Sequence, residues 1–128
     1  MKKVYIVDNH AHNNSSLEAL LSANNIEVIV NDGSSEAHVL HSELCHKMPN
    51  LVITELDHPN LDIWEFFSFL KGTEETKNIT LVVYTLNDKE AIKEQAENMN
   101  VDYFFSKNKI SDIELVTKLF KMYKNKST

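Results

Sequence analysis

Polar side chains that could take part in chemistry stand where apolar runs of the chain end. An acid and an amide follow the first run, a second acid follows the third run, a hydroxyl follows the fourth and a lysine comes shortly after the fifth. In a parallel α/β sheet, ligands and reacting groups gather at the carboxyl ends of the strands. Polar residues commonly flank buried strands, but this combination at four strand ends indicates a functional pocket. Its members are Asp8, Asn9, Glu55, Thr85 and Lys107.

The runs themselves predict the strands that position this pocket. They cover residues 4–7, 26–30, 51–53, 79–84 and 101–105, and their starts lie 22 to 28 residues apart. That spacing leaves room for one helix and two short loops between successive strands. The first, third and fourth runs are continuously apolar, as expected for strands that are covered on both faces. The second run alternates at Ile26, Val28 and Val30, which predicts an edge strand.

Apolar residues at helical spacing predict five helices between and after the strands. The stripes are Leu17, Leu20 and Leu21; Ala37, Leu40 and Leu44; Ile63, Phe66, Phe67 and Leu70; Ile92, Ala96 and Met99; and Ile113, Val116, Leu119, Phe120 and Tyr123. Asn87 with Glu90, and Ser111 with Glu114, have the spacing of helix N-terminal caps. Gly72 and Asn100 tolerate the left-handed conformation at which many helices end. Alternating strands and helices predict a parallel sheet with right-handed crossovers.

Composition favours a single cytoplasmic domain. The 128 residues suffice for one domain, predicted to span residues 1–125 with a frayed tail at 126–128. No apolar run approaches the ~20 residues that cross a membrane, and the single cysteine, Cys45, suits a reducing compartment. The net charge of −6 argues against binding to nucleic acid, which requires clustered basic residues.

The segment around the third strand end resembles the receiver domain of bacterial response regulators. In residues 49–62, PNLVITELDHPNLD, a proline follows Glu55 by four residues and Asp62 lies three residues further on. This is similar to the pattern around the phosphorylated aspartate of that family. The resemblance covers the whole chain and implies a doubly wound, flavodoxin-like sheet of strand order 2-1-3-4-5 with five helices. The other matching positions are Asp8 in the acidic pair, Thr85 at the Ser/Thr position, Phe104 at the switch aromatic and Lys107 at the invariant lysine.

The resemblance implies a phosphoryl-accepting pocket, and this chain departs from it at two positions. In the family an acidic pair and the acceptor aspartate hold Mg²⁺, and the lysine pairs with the new phosphate. Here Asn9 replaces the second acid and Glu55 replaces the acceptor. We therefore expect no cofactor beyond weakly bound Mg²⁺. The family-equivalent metal residues are Asp8, Asn9, Glu55 and Asp57.

Glutamate at the acceptor position predicts loss of phosphorylation. Its extra methylene moves the carboxylate outward by ~1.5 Å, about one C–C bond length, and in-line phosphoryl transfer depends on positioning. The longer reach brings an anion toward Lys107 and Thr85, close to where a phosphate would lie. We therefore predict an atypical receiver that is not an enzyme and that acts through protein–protein interaction.

Two other interpretations remain open at this stage. One is a phosphorylatable receiver with a shifted acceptor, Asp57 or Asp8. The other is a small metal-binding or enzymatic flavodoxin-like domain, against which residues 13–16 (NNSS) lack the glycine of a flavodoxin phosphate loop. His10, His12 and His58 are expected near the acidic pocket, where imidazole and carboxylate could select a transition metal, although surface histidines are the simpler interpretation.

The resemblance also implies a contact surface on the fourth helix, fifth strand and fifth helix, for a protein partner or a homodimer. Its charges are mixed, which suits an interface and equally a solvated face: Lys89, Glu90, Lys93, Glu94, Glu97, Lys118 and Lys121. A last departure is Asn108, which stands in place of the proline that follows the family's lysine. Because a non-proline cis bond costs ~2.5–4 kcal/mol, the Lys107–Asn108 bond is predicted to be trans.

Overall fold

The computed structural model of the protein describes residues 1–9 and 15–126, which form one parallel sheet with helices on both faces. The strands are β1 (Lys3–Val7), β2 (Glu27–Asn31), β3 (Leu51–Thr54), β4 (Thr80–Thr85) and β5 (Tyr103–Ser106). The helices are α1 (Ser15–Ser22), α2 (Ala37–Lys47), α3 (Ile63–Gly72), α4 (Glu90–Asn98) and α5 (Asp112–Lys126). The strand order β2-β1-β3-β4-β5 confirms the predicted fold class. Helix α5 includes Lys126, one residue beyond the predicted domain boundary, and residues 127 and 128 of the predicted tail lie outside the described residues.

Two apolar clusters, one on each face of the sheet, form the core. One contains Tyr5, Val52 and Val83 of the sheet together with residues of α2 and α3. The other contains Val4, Ile6 and Val82 of the sheet together with residues of α1 and α5. Strands β1, β3 and β4 are therefore covered on both faces, whereas β2 lies at the edge and is partly exposed, as its alternating sequence predicted.

The helix starts follow the predicted caps in one case and not in the other. The Ser111 hydroxyl accepts from Glu114 N at 3.2 Å, and the Glu114 carboxylate accepts from Ser111 N at 3.4 Å, which confirms the capping box. The cap predicted at Asn87 is wrong. Helix α4 begins after Lys89 without a side-chain cap, because the Asn87 backbone turns toward the Thr85 hydroxyl instead.

The two predicted helix ends differ in backbone conformation. Asn100 has a φ of 64°, which confirms the left-handed residue after α4. Gly72 is the last residue of α3 without a left-handed conformation, and the chain leaves that helix through an extended Thr73. Gly72 therefore ends α3 as predicted, but the chain leaves the helix in an extended direction instead of through a left-handed residue.

The apolar face of α5 differs from the prediction at its first residue. Ile113 was assigned to that face but is 64% exposed, and Leu115 is fully buried instead. The Tyr84 hydroxyl donates to the Asp112 carboxylate at 2.8 Å, so the first residue of the helix faces the sheet. This contact turns Ile113 about 100° away from the core, one residue step of an α-helix.

The register of the sheet brings the carboxyl ends of its strands to one edge. Val7 pairs with Thr54, and Thr85 with Ser106, so the residues that follow β1, β3 and β5 emerge side by side.

Helices of the described residues are too short or too polar to span a membrane.

The capping box supplies a stability prediction. Replacing Ser111 by Ala removes the acceptor for Glu114 N, and we expect the free energy of unfolding to fall by about 1 kcal/mol. Asn87→Ala is the matched control, because its side chain caps no helix, and it should cost less than about half as much. Urea unfolding of both variants is the measurement, and equal losses would contradict the assignment of the caps.

Candidate functional site

Glu55 is fixed by its backbone at the end of β3. Its N–H donates to Val7 O at 3.0 Å, which extends the β1–β3 pairing by one residue. Its carbonyl oxygen accepts from the Thr54 hydroxyl at 2.7 Å and from His58 Nε2 at 2.6 Å. The residue is 7% exposed, so its carboxylate emerges from a buried and fully hydrogen-bonded backbone.

The Glu55 carboxylate is bonded on both oxygens. Oε1 accepts from the backbone N–H of Leu56 at 2.7 Å and from the hydroxyl of Thr85. Oε2 lies 3.2 Å from the ammonium nitrogen of Lys107. All three partners present a hydrogen-bond donor to the carboxylate, and the contact with Lys107 is a charge-assisted one.

Lys107 joins Glu55 to the acid that follows β1. Its Nζ lies 3.1 Å from Asp8 Oδ2, and the Asp8 side chain is only 5% exposed. Burial opposes the charge of the lysine, but the carboxylates of Asp8 and Glu55 outweigh that effect and raise the pKa of Lys107 above its ordinary value. Nζ also lies 5.4 Å from the centre of the Tyr84 ring, a cation–π distance. The structure thus brings Asp8, Glu55, Thr85 and Lys107 together; we call this set the carboxylate–lysine pocket.

The other predicted members occupy the margins of the pocket. Asn9 and Asp57 line an open cleft of about 410 Å³ beside Trp64. Asp57 is exposed, and the buried Oδ1 of Asn9 has no hydrogen-bond partner among residues 1–9 and 15–126. Phe104 is half-buried and packs against the core layer that contains α2 and α3. The Lys107–Asn108 bond is trans, as predicted.

The pocket fits Mg²⁺ poorly. Within the described part of the chain, no three His, Cys, Asp or Glu side chains are grouped as metal ligands. The carboxylates of Asp8 and Glu55 both lie against Lys107, so an ammonium already provides the positive charge that a metal would supply. Mg²⁺ demands near-octahedral coordination by oxygen atoms, and these two carboxylates are already paired with the Lys107 ammonium.

The predicted histidine cluster is represented in the described residues by His58. His10 and His12 lie outside the described residues. His58 donates through Nε2 to Glu55 O, and its ring packs against Gly33, where an added Cβ would come within 2.3 Å of Nδ1. His58 therefore holds two loops together rather than facing the pocket carboxylates.

One contributor to the pocket, Tyr84, was missed in the sequence. It was assigned only to the buried strand β4, yet its ring lies beside Lys107 and its hydroxyl reaches Asp112 of α5. Its position next to Thr85 was the available signal. A strand residue that points away from the pocket face can still touch a long lysine side chain that passes over the strand end.

Comparison with known proteins shows the fold. No family model and no curated protein sequence matches the chain. A response regulator from Desulfuromonas acetoxidans is 19% identical with a TM-score of 0.81, over 97% of this chain and 98% of that chain. A CheY-like receiver domain protein from Methanospirillum hungatei is 15% identical with a TM-score of 0.82, over 99% and 97%. The chemotaxis response regulator CheY4 of Vibrio cholerae is 15% identical with a TM-score of 0.78, over 94% and 98%. The chain has the fold of CheY-like receiver domains.

The carboxylate–lysine pocket predicts a strong dependence of stability on Lys107. Lys107→Ala leaves the buried acids Asp8 and Glu55 without their shared cation, and we expect the free energy of unfolding at neutral pH to fall by about 3 kcal/mol. The exposed Lys121 provides the control, since Lys121→Ala should change it by less than about 0.5 kcal/mol. Urea unfolding measures both.

The raised pKa of Lys107 fixes the sign of the pH dependence. The stabilisation is complete below the unfolded-state pKa of about 10.4 and is lost as the pH rises through the higher folded-state pKa. The difference between parent and Lys107→Ala should therefore be large at neutral pH and shrink in strong alkali. A difference that is absent at neutral pH would contradict the ion pairs described above.

Proposed function

We propose that this chain is an atypical receiver module of cytoplasmic signal transduction that acts through protein–protein interaction without phosphorylation at the acceptor position. The observation that carries this proposal is the engagement of the Glu55 carboxylate, which already contacts Thr85, Lys107 and the Leu56 amide. These are the kinds of donor that a phosphoryl group on an acceptor aspartate would require.

The contacts of Glu55 oppose its action as a nucleophile. A carboxylate oxygen attacks through a lone pair, and both oxygens of Glu55 already accept hydrogen bonds or face an ammonium. An attacking glutamate would have to leave these partners inside a buried pocket, where unpaired polar groups are costly. Positioning is the main source of phosphoryl-transfer catalysis. The pocket therefore favours a static anion over a reactive one.

The same contacts support a signalling state that needs no phosphate. Glu55 supplies one negative charge, compared with the ~1.5–2 charges of a phosphoryl group. It nevertheless binds the hydroxyl of Thr85 and the ammonium of Lys107, so that the ends of β4 and β5 are drawn toward β3. We infer that the pocket holds the strand ends in one arrangement throughout.

The surface through which such a module would act lies along α4, β5 and α5. The rings of Tyr103 and Phe105 stack with centroids 6.3 Å apart on the edge strand. They line an open cleft of about 360 Å³ together with Lys118, Lys121 and Met122. Half-buried aromatic rings with a basic rim suit a protein partner or a second copy of the chain.

A second candidate function is a receiver with a shifted acceptor. Asp57 is the residue that favours it, because its side chain is exposed at the cleft beside the pocket. Asp8 is a weaker candidate, since it is buried and bonded to Lys107. Neither has the backbone position of Glu55 at the end of β3.

Incubation with acetyl phosphate and Mg²⁺, followed by intact-mass measurement, tests the proposal. We expect no stable phosphoryl adduct on the parent chain. The matched variant is the double substitution Asn9→Asp with Glu55→Asp, which restores the acid pair and shortens the acceptor, and which should gain one phosphoryl group. An adduct on parent Glu55 would overturn the proposal, and an adduct mapped to Asp57 would establish the second candidate.

Mg²⁺ binding should be correspondingly weak. Trp64 is the single tryptophan of the sequence and lines the same cleft as Asn9 and Asp57, so its fluorescence reports on this region. We expect no saturation by Mg²⁺ up to ~1 mM in the parent, because one anionic ligand is missing. The Asn9→Asp variant should bind more tightly. Saturation of the parent at tens of micromolar would show an intact metal site.

A further inference from the structure

The loop between β4 and α4, residues 86–89, is bonded to the end of β5 by a compact set of polar groups. The Ser106 hydroxyl donates to Asp88 Oδ2 at 2.7 Å. The side-chain amide of Asn108 donates to Leu86 O at 3.0 Å and to Asp88 Oδ2 at 3.3 Å. We call Asp88, Ser106 and Asn108 the loop brace.

The members of the loop brace also hydrogen-bond to one another. The Ser106 hydroxyl oxygen accepts from the backbone N–H of Asn108 at 3.0 Å while its proton goes to Asp88. Both protons of the Asn108 amide have acceptors. The bonds from Ser106 and then Asn108 lower the pKa of Asp88, so its carboxylate is charged at neutral pH. Charge-assisted bonds of this kind are the stronger class of hydrogen bond.

Helix α4 depends on this loop because its own apolar contacts are few. Ala96 is its one buried residue, while Ile92 and Met99 are half-buried against the core. Helix α3, by comparison, buries four residues. Since apolar burial supplies most of the docking energy of a helix, the position of α4 is set largely by the chain that enters it.

The loop between β4 and α4 is also bonded to the carboxylate–lysine pocket. The backbone N–H of Asn87 donates to the Thr85 hydroxyl oxygen at 3.0 Å, and the same hydroxyl donates to Glu55. Lys107, which pairs with Glu55, lies between the two brace residues Ser106 and Asn108. The pocket and the brace therefore hold the same loop from its two sides.

We propose that the loop brace is a conformational lock that fixes the start of α4 and the exposed Leu86 in one position. Leu86 is 63% exposed, and its carbonyl is held by Asn108. The lock depends on the proposed function in one respect, because it takes the α4 side of the domain as the contact surface. If the lock holds, the fold fixes the conformation of this surface, and a change in the pocket does not rearrange it.

Amide hydrogen exchange of the folded chain tests the lock. Asn108→Ala removes both bonds from the amide, and Asn108 is exposed, so the variant should fold. We expect exchange of the α4 amides from residue 92 to residue 96 to accelerate at least about tenfold, the effect of losing ~1.4 kcal/mol of local stability, with β1 and β3 amides unchanged. Ser106→Ala should give the same pattern. The control is Asn78→Ala, which makes the same chemical change at an exposed position just before β4, at the amino end of that strand. This variant should leave α4 unaffected.

The outcomes separate the lock from the proposed function. Unchanged α4 exchange in both brace variants would overturn the lock, as would acceleration spread equally over the sheet. Either result leaves the acetyl phosphate experiment intact, because that experiment reads the chemistry of Glu55. Conversely, a phosphorylated parent with selectively accelerated α4 exchange in Asn108→Ala would support the lock and reject the phosphorylation-independent function.

Discussion

A lysine ammonium held between two buried carboxylates is the interaction on which the carboxyl edge of the sheet depends. Asp8 and Glu55 follow neighbouring strands and would repel each other in a site that excludes most water. Lys107, two strands away from β3, reaches both at 3.1 and 3.2 Å. The order of the strands and their register are therefore constrained by charge at this edge, in addition to the apolar packing of the two faces.

The contacts of this pocket depend on the length of the Glu55 side chain, which is one methylene longer than that of aspartate. One additional methylene lets the Glu55 carboxylate reach Thr85 and Lys107 without any added group. In the function proposed above, Glu55 occupies the contacts that a phosphoryl group on an acceptor aspartate would use. On that proposal the pocket is a structural element, and the activity of the chain lies in the surfaces that the pocket and the loop brace hold in place.

Much of this arrangement could be predicted from the sequence because it depends on strand order and on residues directly after strands. Buried apolar runs placed β1, β3 and β4, and the chemistry at their ends placed Glu55, Thr85 and Lys107 in one pocket. The contacts that the sequence did not predict join segments that are separated by loops. Asn87 has the spacing of a cap, but its backbone turns to Thr85, and Ile113 leaves the core because Tyr84 binds Asp112. The brace from Asp88 to Asn108 likewise depends on a loop geometry that no local pattern encodes.

The most direct test of the central interaction is a double-mutant cycle between Glu55 and Lys107, measured as free energies of unfolding at neutral pH. If the two side chains are coupled as described, Lys107→Ala should cost at least about 1 kcal/mol less in a Glu55→Gln background than in the parent, because one of the two stranded carboxylates is then neutral. The residual cost would belong to Asp8. An equal cost of Lys107→Ala in both backgrounds, within about 0.5 kcal/mol, would contradict the account.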